Sequence, residues 1–347
     1  MTAIPAKPTR IANSSQLASA IAAADFSGCA ATVVGYGGMG RQFVKALQRL
    51  GVRNIRVCSR TAARMAELES GPGITLVPGD YSELRLTPLH GEAAIVCLPI
   101  HDLVSAARHL ADLGYRKILI EKPVSLWSFP IEQLTADFDR MGVDATCGYN
   151  RIAYPAFHEA QARSAEEGGI TSCTYTFTEF ISRLDPSRYT PGEMERWGIA
   201  NSLHVMSMAH GLIGLPAEWH GFRTGSAVSW HPAGSVFAGA GLSSRDVPFT
   251  YHADWGSTGR WSVEIHTKMS SYRLCPLEKL FRRVSATGDW DEVPLVTVAD
   301  DIKTGFLEQV AAMLDDGIRA FVPLLSLGET LELTRFGEDV FGYGSRP

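Results

Sequence analysis

The chain contains no Cys-x-x-Cys, no His-Glu-x-x-His and no apolar run of the roughly 18 residues that a membrane helix needs. The first two absences argue against a structural or catalytic metal site, and the third against a spanning segment. Basic charge is also scarce: 32 Lys and Arg face 37 Asp and Glu, a net charge of −5, which leaves no basic face for nucleic acid or anionic lipid. Internal repeats and low-complexity linkers are missing as well. The six cysteines, Cys29, Cys58, Cys97, Cys147, Cys173 and Cys275, are scattered through apolar, strand-like runs and read as reduced core thiols. The opening stretch through Gly28 lacks an unbroken apolar core flanked by a cleavage site. It reads as an extra helix capped near Asn13 to Ser15, and the expected location is the cytoplasm. A small-molecule ligand is the class these exclusions leave.

What is present is ordinary globular material, 45% hydrophobic and 20% charged, in a chain of 347 residues, which predicts two domains. From Ala31 to Gly148 short β-branched runs alternate with helical periodicity. "ATVVG", "NIRVCS", "AAIVCLP", "KILIE" and "DATCGYN" read as strands. Helices are expected from Phe43 to Leu50, from Arg64, over "HDLVSAARHLADLG" and around Ile131 to Met141. That alternation predicts a doubly wound parallel sheet of the Rossmann type over residues 1–148, because parallel neighbours need crossover helices. Past Asn150 a helix from Tyr154 to Glu167 precedes "TSCTYTFTEF", whose alternation suits a half-exposed antiparallel strand. Further strands are expected near 219–229, 235–240, 249–255, 261–267 and 272–275. Residues 149–347 are therefore expected to form an α+β domain with an open, mostly antiparallel sheet, whose closing helix "GFLEQVAAMLDDG" packs back on the first domain.

Within "VVGYGGMG", Gly35, Gly37 and Gly40 follow a strand and open a helix, with Gly38 and Met39 between them. The first glycine permits a tight turn, the second a close approach of backbone to a pyrophosphate, and the third close helix–strand packing. This arrangement suits a dinucleotide whose phosphates sit at the helix N-terminus. At the end of the second strand, where an acid would hold a ribose 2′-hydroxyl, the chain has Ser59, Arg60 and Thr61. An arginine and two hydroxyls suit a 2′-phosphate and favour NADP over NAD.

"AAIVCLPIHDLVSAARHLADLGYRKILIEKPVS" resembles the Gfo/Idh/MocA oxidoreductases, in which a strand and proline lead through a helix and strand to Glu-Lys-Pro. The resemblance continues through "GYNRIAYPAF" and "NSLHVMSMAHGLIG", and later segments look like a subgroup associated with bacterial surface sugars. It implies that Leu98, Pro99, His101, Glu121 and Lys122 lie along the cofactor. It also implies that Tyr149, Asn150, Arg151, Asn201 and His204 meet the substrate, and that Lys122 and His204 are the catalytic pair. Lys122 is a candidate on its own merits, since it ends a buried strand at the carboxyl edge of a parallel sheet. The family pattern Asp-x-x-x-His-x-x-Asp is broken here: aligning His204 places Ala200 and Ser207 at the acid positions. Trp230, His231, Trp255, Arg260 and Trp261 suit either sugar rings or a subunit interface, with the interface favoured.

The expected activity is NAD(P)-dependent hydride transfer to or from a carbinol or ketone carbon of a sugar-derived substrate, in a homodimer or homotetramer. Two alternatives stand beside it: a dinucleotide-binding sensor or scaffold without catalysis, which the missing acids favour, and an imine reductase on the same fold.

Overall fold

The computed structural model describes residues 10–61 and 73–345. Strands β1 (Ala30–Val34), β2 (Asn54–Ser59), β3 (Ile74–Pro78), β4 (Ala93–Val96), β5 (Lys117–Ile120) and β6 (Asp144–Cys147) form a parallel sheet. Their order is β6-β5-β4-β1-β2-β3. β1 and β4 are buried at every residue, as strands covered on both faces must be, and their apolar runs are continuous for that reason. The strand order reverses between β1 and β4, which opens a crevice beyond their carboxyl ends.

Helices Gly38–Arg49, Ile100–Asp112 and Ser128–Met141 cover this sheet, each with a buried apolar stripe that includes Phe43 and Leu47, Leu103 and Leu110, or Leu134 and Phe138. The helix expected from Arg64 lies outside the described residues. Near the start, helix Ser14–Ala23 is closed by a capping box in which Asn13 accepts from the Gln16 backbone and the Gln16 side chain answers.

The second sheet has eight strands: β7 (Ser172–Thr176), β8 (Pro216–Thr224), β9 (Val236–Ser243), β10 (Pro248–Asp254), β11 (Ser262–His266), β12 (Ser271–Leu274), β13 (Phe281–Arg283) and β14 (Asp291–Glu292). They run in the order β14-β13-β12-β11-β7-β10-β9-β8. All pairs are antiparallel except one. β7 lies at the centre, antiparallel to β11 but parallel to β10, which makes the sheet mostly antiparallel, as expected. The parallel pairing is possible because the chain between β7 and β10 is a long crossover carrying helix Leu203–Ile213 and the β8–β9 hairpin. β7 is also shorter than its alternating run, so Phe177 to Phe180 continue beyond it as a loop toward the sheet edge. Helices Leu203–Ile213 and Leu327–Phe341 pack beneath the sheet, while Pro248, Thr250, His252 and the 81% exposed Phe222 face outward.

Two late segments return to the first sheet. Leu325–Ser326, here β15, pairs antiparallel with β6; two residues are too few to give a readable period. Helix Phe306–Leu314 lies against Gly38–Arg49, with the Phe306 and Phe43 rings 4.6 Å apart.

Candidate active site

Beyond the carboxyl ends of β1, β2 and β4 lies a cavity of about 510 Å³. Gly35, Gly37, Gly38 and Met39 form one wall. Ser59, Arg60 and Thr61 line it after β2, Leu98 and Pro99 after β4, and Glu121 and Lys122 after β5. Gly35 has φ of +97°, and a Cβ there would stand 2.3 Å from the Cys97 carbonyl oxygen; a Cβ at Gly40 would stand 2.1 Å from that of Gly35. Both positions therefore exclude any side chain, and the crossing of strand, turn and helix is set by backbone contact alone. Gly37, by contrast, faces open space. It caps helix Gly38–Arg49 with no side-chain hydrogen bond and no acid in the first turn, so the first N–H groups are available to an anion. The residues present fit a dinucleotide.

Arg60 is largely exposed and sits 3.6 Å from Asp80, an ion pair weak enough to yield to a ligand. His101 lies apart from the cavity lining: its side chain is 69% exposed and meets Asp102, and it is Asp102 that faces inward.

A second cavity of about 400 Å³ adjoins the first, and the two share Trp197 and Asn201. Its lining comes from Arg151, Glu179, Phe180, Arg183, Arg260, Trp261 and Glu278, with Pro276 and Leu277. The strap from Phe180 to Trp197 reaches over both, with Tyr189 and Glu193 on the first cavity and Phe180 and Arg183 on the second.

Lys122 lines the first cavity near the Asn201 that both cavities share. It follows β5, is only partly shielded from the cavity, and donates from Nζ to the Ala200 carbonyl at 2.9 Å. The Lys122–Pro123 peptide is cis. Val124, buried in the next turn, takes φ of 69°, a conformation that costs a β-branched residue about 1–3 kcal/mol and that the surrounding packing imposes. Burial pulls the Lys122 ammonium down to about 8, against the opposing pull of Glu121. Glu121 accepts from the Lys122 backbone N–H at 3.1 Å, and its own burial raises its pKa.

The Ala200 carbonyl is presented by a π-helical turn, Gly198–Ser202, that leads into helix Leu203–Ile213; such turns recur at functional sites. Arg196 fixes that turn relative to Lys122. Its guanidinium donates to the Leu126 carbonyl at 2.7 Å, to that of Gly344 at 2.9 Å and to Glu338 at 2.7 Å, and lies between the rings of Trp127 and Tyr343. Leu126 belongs to the loop that starts at Lys122, so one buried arginine ties both partners of the Lys122 hydrogen bond together.

The remaining expected substrate residues divide. Arg151 lines the second cavity, donates to Asn150 Oδ1 at 2.8 Å, and lies over the Trp261 ring at 5.6 Å. Asn201 lines both cavities. His204 lines neither: it is 6% exposed and sits behind Arg151, whose Nη1 is 3.0 Å from the imidazole nitrogens. Burial, reinforced by the Arg151 and Lys122 cations, holds His204 well below its usual pKa, so the ring is neutral. Tyr149 is fully buried edge-on to His204, and Asn150 donates to the Thr304 carbonyl at 2.8 Å. These two support Arg151 and His204 from outside the cavity.

Glu179 was not foreseen from the sequence. Three residues past β7, it accepts from Asn201 Nδ2 at 2.8 Å and from Ser202 Oγ at 2.5 Å, and burial pushes its carboxyl up to about 7. Only a glutamate interrupting the apolar end of "TYTFTEF" hinted at it. Lys303 was missed too. Its Nζ is 3.5 Å from Met39 Sδ, beside the glycine turn, and its backbone N–H donates to Gln42. The aromatic set singled out in the sequence also splits. Trp255 and His231 are buried in this chain, with Phe237 and Phe341 as neighbours, and so fill a core where an interface was favoured; Trp261 and Arg260 face the second cavity. Among the described residues no group of three metal-binding side chains occurs, and no helix is long and apolar enough to cross a membrane.

Residues 31–122 match the family model described as NADP oxidoreductase, coenzyme F420-dependent. A search of curated proteins finds no match. Similar solved structures include UDP-N-acetylglucosamine 3-dehydrogenase GnnA from Acidithiobacillus ferrooxidans, 12% identical over 91% of this chain and 98% of that one, with a TM-score of 0.65. Levoglucosan dehydrogenase in complex with NADH is 13% identical over 90% and 96%, with a TM-score of 0.67. A super-repressor mutant of Gal80p from Saccharomyces cerevisiae is 12% identical over 91% and 95%, with a TM-score of 0.71. The chain thus has the two-domain fold of the Gfo/Idh/MocA-type oxidoreductases, the fold that the Glu-Lys-Pro resemblance implied.

Proposed function

We propose that this protein is a nicotinamide-dependent oxidoreductase acting on a sugar-derived substrate that carries an anionic group, with residues 1–148 holding the dinucleotide and residues 149–347 the substrate. The observation that carries this reading is the junction of the two cavities at Trp197 and Asn201, beside Lys122, one built like a dinucleotide site and the other lined by arginines and tryptophans. When bound, the nicotinamide supplies hydride transfer to or from a carbinol or ketone carbon.

The chain's own residues do the rest. The uncapped turn at Gly37 and Gly38 holds the pyrophosphate. Arg60, with Ser59 and Thr61, receives a 2′-phosphate, which favours NADP over NAD. In the second cavity Arg151, Arg183 and Arg260 form no salt bridge with a carboxylate among the described residues, so their cations are free for a substrate carboxylate or phosphate. Trp261 offers a flat face to a sugar ring. Lys122, near neutrality because it is buried, exchanges the proton of the substrate hydroxyl. His204, neutral behind Arg151, orients that guanidinium.

The levoglucosan dehydrogenase complex with NADH supports a nicotinamide dinucleotide as cofactor, and the two sugar dehydrogenases among the structural neighbours support the substrate class. The lack of acids at Ala200 and Ser207 keeps a second reading in view, a dinucleotide-binding sensor without turnover. Fluorescence titration with NADPH and NADH, followed by nicotinamide absorbance with acidic and neutral sugars, separates the two. The expected outcome is tighter NADPH binding, reduced about tenfold by Arg60→Ala, with turnover confined to anionic sugars. Binding without turnover on any sugar favours the sensor, and no binding overturns both.

A further inference from the structure

We propose that Glu179 is a second proton-exchanging group of this site, working with Lys122 on the substrate hydroxyl; the proposal rests on the oxidoreductase reading and extends it.

The stretch Gly198–Ile213, which supplies Asn201 and the Ala200 carbonyl, contains no acidic residue. The carboxyl group in the arginine-lined cavity that meets Asn201, the residue both cavities share, comes instead from beyond the end of β7. Glu179 is 6% exposed, and what it exposes faces that cavity.

Its partners distinguish it from the carboxylates that hold this fold together. Glu338 forms a salt bridge with buried Arg196 and accepts from the Ser128 N–H; Glu92 meets Arg56 at 3.3 Å and accepts from Thr32 and the Leu89 N–H. Both are saturated with cations and donors, as a permanently charged buried group must be. Glu179 forms no salt bridge among the described residues, and its hydrogen bonds to Asn201 and Ser202 leave lone pairs on each oxygen. A group so placed is stable in either protonation state.

The charged groups facing it are Lys122 on the first cavity, Arg151, Arg183, Arg260 and Glu278 around the second, and the Tyr343 phenol behind it. Glu179 is raised to about 7 mainly by burial and Lys122 is lowered to about 8, also by burial, so each can change its protonation state near neutral pH.

In the oxidative direction the substrate C–H bond breaks with its electron pair passing to oxidised nicotinamide, the O–H bond breaks, and C=O forms. The released proton is taken by neutral Lys122 or by the Glu179 carboxylate. Reduction reverses each transfer, with the proton returned to the new hydroxyl.

Glu179→Gln keeps the shape and removes the proton. With a substrate that the wild type turns over, kcat should fall about 10²-fold while dinucleotide affinity and KM move less than about threefold, and Glu179→Asp should recover part of the rate. The pH–rate limb nearest 7 should disappear in Glu179→Gln and persist in the wild type. A Glu179→Gln enzyme within about threefold of wild type at every pH overturns the proposal. Infrared difference spectra of wild type against Glu179→Gln add a test that needs no substrate. They should show a protonated-carboxyl carbonyl band that titrates away near neutral pH. If the wild type binds dinucleotide but turns nothing over, the oxidoreductase reading fails, and the absence of that band would by itself overturn the assignment of an exchangeable proton to Glu179.

Discussion

The first cavity is built by backbone and the second by side chains. Around the first, consecutive short turns at the ends of parallel strands supply N–H groups, a helix terminus and glycines, and the critical distances are those at which a Cβ would collide with a carbonyl. Around the second, Arg151, Glu179, Asn201, Arg260 and Glu278 arrive from five stretches of chain, and what matters is charge and reach. A backbone site tolerates little change in shape but recognises a shared chemical feature, the pyrophosphate. A side-chain site can be rebuilt residue by residue while the fold stays fixed. Lys122 lines the first, and its hydrogen bond to the Ala200 carbonyl sets it one residue from Asn201, which lines both.

The sharpest way to break this contrast is at Gly40. Gly40→Val forces a side chain against the Gly35 carbonyl. Dinucleotide binding should vanish with a loss of stability of about 2 kcal/mol or more, read by fluorescence titration and thermal melting. Retained binding would mean that the turn is not set by backbone contact. A smaller effect is expected at the second site. Arg151→Met should leave dinucleotide affinity unchanged and raise KM for an anionic substrate about tenfold or more, with little change for a neutral one. An equal change for both substrates would remove Arg151 from substrate recognition and leave it a support for His204.

The same contrast explains how much the sequence reveals. Gly35 and Gly40 are legible because backbone contact excludes a side chain at each, and Gly37 because it completes their spacing within six consecutive positions. β1, β4 and β5 are legible because strands buried on both faces write near-continuous apolar runs, and β2 and β6 because their short runs alternate with helical segments. Glu179 is not legible: it reaches the site through β7's central place in the second sheet and a loop beyond its end, and a polar residue after an alternating strand has many ordinary explanations. His204 shows the reverse. Its motif marks it for the substrate, yet the structure sets it behind Arg151, because helix Leu203–Ile213 is buried along nearly its whole length. β15 and the π-helical turn escape the sequence for a simpler reason, being too short to carry a period.

The central claim, that Lys122 joins a dinucleotide site to a proton-transfer site, is tested most directly by comparing wild type with Lys122→Ala for NADPH affinity and turnover in one preparation. The account predicts affinity within about threefold of wild type and turnover lower by about 10²-fold or more. Turnover unchanged by Lys122→Ala would contradict it.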